Sequence, residues 1–144
     1  MYSYRYPRPA VTADCVVLGL MPDGSRRLLL IQRGNDPYKG MWAFPGGFMN
    51  MDETLEQCAR RELKEETGLE VEGEFEEVKS FSTVDRDPRG RTITVAFLVT
   101  VPVTEVKGGD DAAKACWFPL EALPPLAFDH DEILKVALAL YNKR

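Results

Sequence analysis

Residues 47–69 read GFMNMDETLEQCARRELKEETGL, and the spacing of charge in this segment limits the folds open to the chain more than any other feature. Thr54 with Gln57 three residues on spells a capping box, and Gly68 stands where a left-handed C-terminal cap is wanted. The spacing therefore predicts a helix from about Leu55 to Thr67. Leu55, Ala59 and Leu63 give it one narrow apolar stripe to lay on a core. Glu62, Glu65 and Glu66 stand at i, i+3 and i+4, so their carboxylates project from one face. Carboxylates held that closely repel one another unless cations occupy the space between them, and such hard oxygen donors suit Mg²⁺ or Mn²⁺ rather than zinc or copper. Gly46 and Gly47 let the backbone pass close to the cluster, so a carbonyl oxygen can add a ligand. Arg61 and Glu53 can pair and hold the preceding loop against the helix. A run of Glu and Lys on a helix taken alone is more often a solvated face.

The rest of the chain supplies strands for that helix to pack on. Residues 11–20 (VTADCVVLGL) are β-prone and stop at Pro22-Asp23-Gly24, a turn signal, and 27–33 read as the returning strand of a hairpin. A short strand over Trp42–Pro45 runs into Gly46-Gly47. Further strands are expected over Phe75–Val84, Thr92–Val101 and Ala115–Phe118. Asp85–Arg91 and Thr104–Ala113 read as polar loops. Asp129 with Glu132 makes a second capping box, opening a last helix to about Asn142. The order β-β-β-α-β-β-β-α predicts an α/β fold, a mixed sheet with helices on both faces.

Composition narrows the class. A length of 144 residues fits a single domain, with residues 1–9 as an N-terminal arm, and needs no disulfide or metal to fold. The 18 basic against 23 acidic residues leave a net charge of −5, without the footprint of a general nucleic-acid binder. Cys15, Cys58 and Cys116 are dispersed and form no CxxC pair. They read as reduced, buried thiols of a cytoplasmic protein, and His130, the only histidine, leaves no zinc site of the Cys/His type. The start of the chain lacks the apolar core of a signal peptide, and no apolar run is long enough to cross a membrane.

The complete spacing from Gly47 through Glu53, Arg61-Glu62-Leu63 and Glu65-Glu66 to Gly68-Leu69 matches the Nudix box, GX5EX7REUXEEXGU with U aliphatic. Seven fixed residues at roughly 6% usage each would coincide by chance in well under one in a million chains. The chain therefore resembles the Nudix hydrolases over essentially its whole length. The resemblance implies an α/β/α sandwich and hydrolysis of a nucleoside diphosphate linked to another moiety. It further implies Glu62, Glu65 and Glu66 as ligands of a divalent cation, Mg²⁺ or Mn²⁺, with the Gly46 carbonyl as another. Glu62 is one candidate general base, and Asp111, in the segment Gly108-Gly109-Asp110-Asp111, is another candidate as base or as an extra ligand. Related enzymes also suggest a homodimer, to which the aromatic arm Tyr2–Pro9 can contribute.

The box fixes chemistry rather than substrate. Residues 80–91 (SFSTVDRDPRGR) and the late segment Leu126-Ala127-Phe128-Asp129-His130 resemble the ADP-ribose pyrophosphatases and related Nudix domains of NAD metabolism. The marker proline of many such enzymes is not matched, because Pro88 falls too far beyond Leu69. Arg86, Arg89 and Arg91 can offer bidentate donors to phosphate or ribose oxygens. Arg33, ending the second strand, can face the same site. Phe44, Phe48, Trp42 and Phe128 lie near the expected substrate loops. Trp42 and Trp117 read as core, and Phe128 is the strongest candidate to stack on a base. His130 reads as structural rather than catalytic. The expected reaction is cleavage of ADP-ribose to AMP and ribose 5-phosphate. Its alternatives are hydrolysis of other ADP-sugars or of oxidised nucleoside triphosphates, and a sensor that binds ADP-ribose without cleaving it. The intact box disfavours the sensor, as does a chain expected to have no room for a DNA-binding domain.

Overall fold

The computed structural model describes residues 2–109 and 112–143. Strand β1 (Ala10–Leu20) forms the backbone of the sheet, because it is apolar on both faces and so can be covered on both sides. It pairs antiparallel with β2 (Arg26–Arg33), matching Leu18 with Leu28, as the hairpin reading anticipates. On its other edge it runs parallel to β6 (Thr92–Pro102) along eleven matched residues, from Ala10 with Thr92 to Leu20 with Pro102. Strand β5 (Glu76–Phe81) then pairs with β6, and β7 (Ala112–Pro119) pairs with β2. The sheet is mixed and seven-stranded.

Alternation along β1 decides what each face meets. Ala13, Cys15 and Val17 join Cys58, Ala59 and Leu63 of α1 (Leu55–Thr67) in one core. Val16 and Leu18 join Ile133, Leu134 and Ala137 of α2 (His130–Asn142) in the other. The result is the expected α/β/α sandwich. Trp42 and Trp117 pack at the margins of these cores. Among the described residues, no helix is long and apolar enough to cross a membrane.

Helix α1 begins and ends where its sequence predicts. Thr54 accepts a hydrogen bond from the Gln57 N–H (3.1 Å), the Gln57 side chain accepts one from the Thr54 N–H (2.8 Å), and Gly68 turns left-handed at φ 78°. A capping side chain of this kind stabilises a helix by about 1 kcal/mol.

Three expectations need correction. The strand expected over Trp42–Pro45 is cut to β3 (Trp42–Ala43), which pairs with β2, and a separate strand, β4 (Gly46–Phe48), follows it and pairs with β1. Pro45 between them has no N–H for a ladder, and the Phe44 N–H is taken by a side chain, that of His130. The strand expected to run to Val84 stops at Phe81. The capping box at Asp129 does not form: Asp129 makes no side-chain cap bond, because its carboxylate is held by Arg86.

Candidate active site

A cavity of about 720 Å³ lies where β4, in place of β2, pairs with the first half of β1. That volume lies within the range of small-molecule sites. Its wall includes Glu62, Glu65 and Glu66 from α1, Gly46 and Gly47 from β4, and Thr12 and Asp14 from β1. The loop residues Arg86, Asp87 and Arg89 close one side, with Arg33, Phe128 and His130 nearby.

Each of the two glycines leaves room for one carboxylate. A Cβ on Gly47 would stand 2.6 Å from the Glu62 carboxyl carbon, and one on Gly46 would stand 2.5 Å from Asp14 Oδ1. Successive residues of a strand face opposite ways, so β4 receives Glu62 on one face and Asp14 on the other. The Gly46 N–H donates to Glu66 Oε1 at 2.7 Å. In extended backbone the N–H and C=O of one residue point to the same edge. The Gly46 carbonyl therefore shares the edge on which Glu66 lies.

Arg61 organises the acidic cluster. Its Nη2 and Nε bind the two oxygens of Glu53 at 2.6 and 3.0 Å, and Nη1 reaches Glu62 at 2.8 Å and Glu65 at 3.1 Å. Glu53 also accepts from the Asn50 N–H (2.8 Å), and Arg61 donates to the Phe48 carbonyl. The loop before α1 is thereby tied to the helix, as the Glu53–Arg61 reading expects. These bonds from Arg61 hold the Glu53 carboxyl down at about 2, and Glu53 in turn pushes the guanidinium upward. Glu53 stands outside the cavity wall.

The donor chemistry fits a hard divalent cation: three carboxylates and a carbonyl edge lie along one wall, with the room left by Gly46 and Gly47. With Arg61 bridging Glu62 and Glu65, the described side chains form no group of three already spaced as ligands. A cation entering this wall would take over the screening that Arg61 now provides. Asp111 lies outside the described residues. Gly109, just before it, passes against the carbonyl of Glu65, where a Cβ would stand 2.5 Å from the oxygen.

The arginines divide. Arg89 borders the cavity, paired with Asp87 through Nη2 to Oδ2 (2.8 Å) and Nε to Oδ1 (3.1 Å), and its guanidinium lies 4.8 Å from the Phe48 ring and 5.5 Å from that of Phe128. Burial alone would push the Asp87 carboxyl up, but the bonds from Arg89 outweigh it and hold it below the usual range. Arg33 donates to the Pro37 carbonyl and lies 5.0 Å from the Phe128 ring. Arg86 also borders the cavity, yet its side chain is 4% exposed and makes a bidentate pair with Asp129. Its Nε and Nη2 are taken by that pair, which ties the loop to the start of α2. Arg91 is not brought to the cavity: its carbonyl receives the Ala10 N–H where the β1–β6 ladder starts.

Two residues gain a place that the sequence did not suggest. Asp14 is a buried acid whose Oδ2 accepts from Thr94 Oγ1 at 2.7 Å. Its signal is an acidic residue inside an otherwise apolar strand. His130 is buried at the start of α2, where Nδ1 accepts the Phe44 N–H at 3.1 Å and the ring stacks on Phe44. Burial pushes its pKa down, and the nearby charges of Arg86 and Arg33 add to that against Asp14 and Asp129.

Comparison with known proteins agrees with this geometry. Residues 10–137 match the NUDIX domain family. The chain is 45% identical over 138 residues to an ADP-ribose pyrophosphatase of Methanocaldococcus jannaschii, spanning 92% of this chain and 76% of that protein. It is 37% identical to the ADPR responsive transcriptional repressor NtrR of Acinetobacter baylyi, spanning 96% of this chain but only 57% of the repressor. The NUDIX domain of Shewanella oneidensis NrtR, solved in complex with ADP ribose, superposes with a TM-score of 0.86 at 30% identity, covering 94% of this chain and 90% of that one. The chain belongs to the Nudix family.

Proposed function

We propose that this Nudix hydrolase cleaves the pyrophosphate bond of ADP-ribose, giving AMP and ribose 5-phosphate with Mg²⁺ or Mn²⁺ as cofactor. The observation that carries this reading is one cavity that combines the box glutamates Glu62, Glu65 and Glu66 with Arg89 and the rings of Phe48 and Phe128. Its likeness to a protein named ADP-ribose pyrophosphatase, and to a domain solved with ADP ribose, supports the choice of substrate.

The division of labour follows from the geometry. Glu62, Glu65, Glu66 and the Gly46 carbonyl would hold the cation, which when bound neutralises phosphate oxygens and lowers the pKa of water. Arg61 and Glu53 keep the wall in register by tying the loop to α1. Arg89, oriented by Asp87, offers a guanidinium edge to a phosphate and a face to a base. Phe128 presents a ring at the mouth, backed by Tyr38 at 4.7 Å. The incoming water loses its proton to a carboxylate, that of Glu62 on this wall or that of Asp111, as its oxygen bonds to phosphorus and the other phosphate leaves.

A second reading has one finding in its favour, the likeness to an ADPR responsive repressor. In that reading the cavity binds ADP-ribose without turnover. Product analysis separates the two. Purified protein is incubated with Mg²⁺ and ADP-ribose, an ADP-hexose, NADH, a dinucleoside polyphosphate or oxidised dGTP. AMP appearing fastest from ADP-ribose supports the proposal. A faster reaction with another compound replaces the substrate, and tight binding without turnover favours the sensor.

A further inference from the structure

The hydrolytic reading leaves Asp14 and His130 without a task, although both face the cavity. Asp14 is 7% exposed, and Gly46 is the only residue type that lets its Oδ1 lie where it does. A carboxylate accepts hydrogen bonds and cannot donate them. Facing a cavity built for an anionic diphosphate, it repels phosphate oxygens, so whatever it touches must bring a donor.

His130 supplies the complement. Because Nδ1 accepts the Phe44 N–H, that nitrogen carries the lone pair and the proton of the neutral ring sits on Nε2. Nε2 lies 3.7 Å from Asp14 Oδ2, beyond hydrogen-bond reach. The ring cannot turn to close that gap: it is stacked on Phe44 at 4.7 Å and flanked by Phe128 at 5.4 Å. The hydroxyl of Thr94, fully buried, donates to that same Oδ2 at 2.7 Å and fixes the carboxylate. The outcome is an acceptor and a donor, both immobilised, side by side on the cavity floor.

We infer that Asp14 and the Nε2–H of His130 form a subsite for adjacent hydroxyls of a ribose carried by the diphosphate. One hydroxyl donates to Asp14, and its neighbour accepts from His130. A single sugar edge then satisfies both groups, which a phosphate, carrying acceptors alone, does not. The inference rests on the cavity taking a nucleoside diphosphate, but it does not require turnover. Asp14 and His130 are specificity residues here; the reacting atoms lie at the glutamate wall.

The test is equilibrium binding by calorimetry, with EDTA present to prevent hydrolysis. The ligands are ADP-ribose and two analogues, one lacking a hydroxyl of the terminal ribose and one lacking the 2′-hydroxyl of the adenosine. Wild-type protein is expected to bind one analogue about 10- to 100-fold more weakly than ADP-ribose, the range for a hydrogen bond to a charged group. The weakened analogue identifies the ribose being read. In Asp14→Asn that preference should shrink several-fold while affinity for the deoxy analogue holds. Equal wild-type affinity for all three ligands overturns the inference, whatever the variant does. Hydrolysis of ADP-ribose without discrimination leaves the hydrolase standing and removes the subsite. Discrimination without hydrolysis does the reverse.

Discussion

Arg86 and Asp129 are joined by two hydrogen bonds across 43 residues of sequence, Nε to Oδ2 at 2.9 Å and Nη2 to Oδ1 at 2.7 Å. The residue before each is in the left-handed region, Asp85 at φ 66° and Phe128 at φ 53°. Such conformations in residues other than glycine cost of order 1–3 kcal/mol each and persist only where their surroundings enforce them. The ion pair is that enforcement. It fastens the loop carrying Asp87 and Arg89 to the start of α2, and so sets Arg89 beside Phe128.

Removing one member of this pair should therefore leave a buried charge alone. Arg86→Ala or Asp129→Ala is expected to destabilise the protein by about 3–5 kcal/mol. The double change Arg86→Met with Asp129→Leu should recover much of that loss. Urea denaturation of the four proteins measures the two losses and the recovery. Single variants that each lose less than about 1 kcal/mol would mean that the pair is solvated and holds nothing.

Gly47→Ala tests the room left for the box glutamate. The added methyl would meet the Glu62 carboxyl carbon at 2.6 Å, and that side chain is hydrogen-bonded to Arg61. Overpacking of this kind costs about 1–3 kcal/mol. Turnover should fall by more than the folded fraction does, because Glu62 is displaced from the wall. A variant with normal activity and normal stability would show that Glu62 moves freely and is not held against β4.

Glu65→Gln and Glu66→Gln keep shape and remove charge. Each should lower kcat roughly 10²- to 10³-fold, the usual effect of deleting one preorganised electrostatic contact. Glu66→Gln should also shift the metal concentration needed for half-maximal rate, since Glu66 accepts the Gly46 N–H on the edge assigned to the cation. Unchanged turnover in either variant would move the metal site elsewhere.

What could be read ahead of the structure was local. Thr54, Gln57 and Gly68 make bonds within a few residues of themselves, so the limits of α1 follow from the sequence. The i, i+3, i+4 glutamates and the Glu53–Arg61 tie are equally short in range. The failures around the site are long in range. Asp129 has the look of an N-cap, but its carboxylate is claimed by Arg86 from another loop. Asp14 hides in an apolar strand, and only the pairing of β1 with β4 turns that position into a cavity floor. Phe44 gives no hint that its N–H will leave the ladder for His130, 86 residues on.

That last bond makes stability depend on pH in a definite direction. Burial holds the pKa of His130 below its ordinary 6.5, and Nδ1 must stay unprotonated to accept from Phe44. As pH falls through about 6.5, the unfolded chain binds a proton that the folded chain refuses. Stability rises with pH wherever the unfolded state holds more protons. The contribution of His130 is therefore fully present above 6.5 and is lost as pH falls from there towards the depressed folded value. Urea midpoints measured between about pH 8 and pH 5 should decline in the wild type. His130→Gln removes the titrating group, keeps an acceptor for the Phe44 N–H, and should flatten that decline. If the two proteins lose stability in parallel, the slope belongs to the carboxylates and His130 is not held neutral.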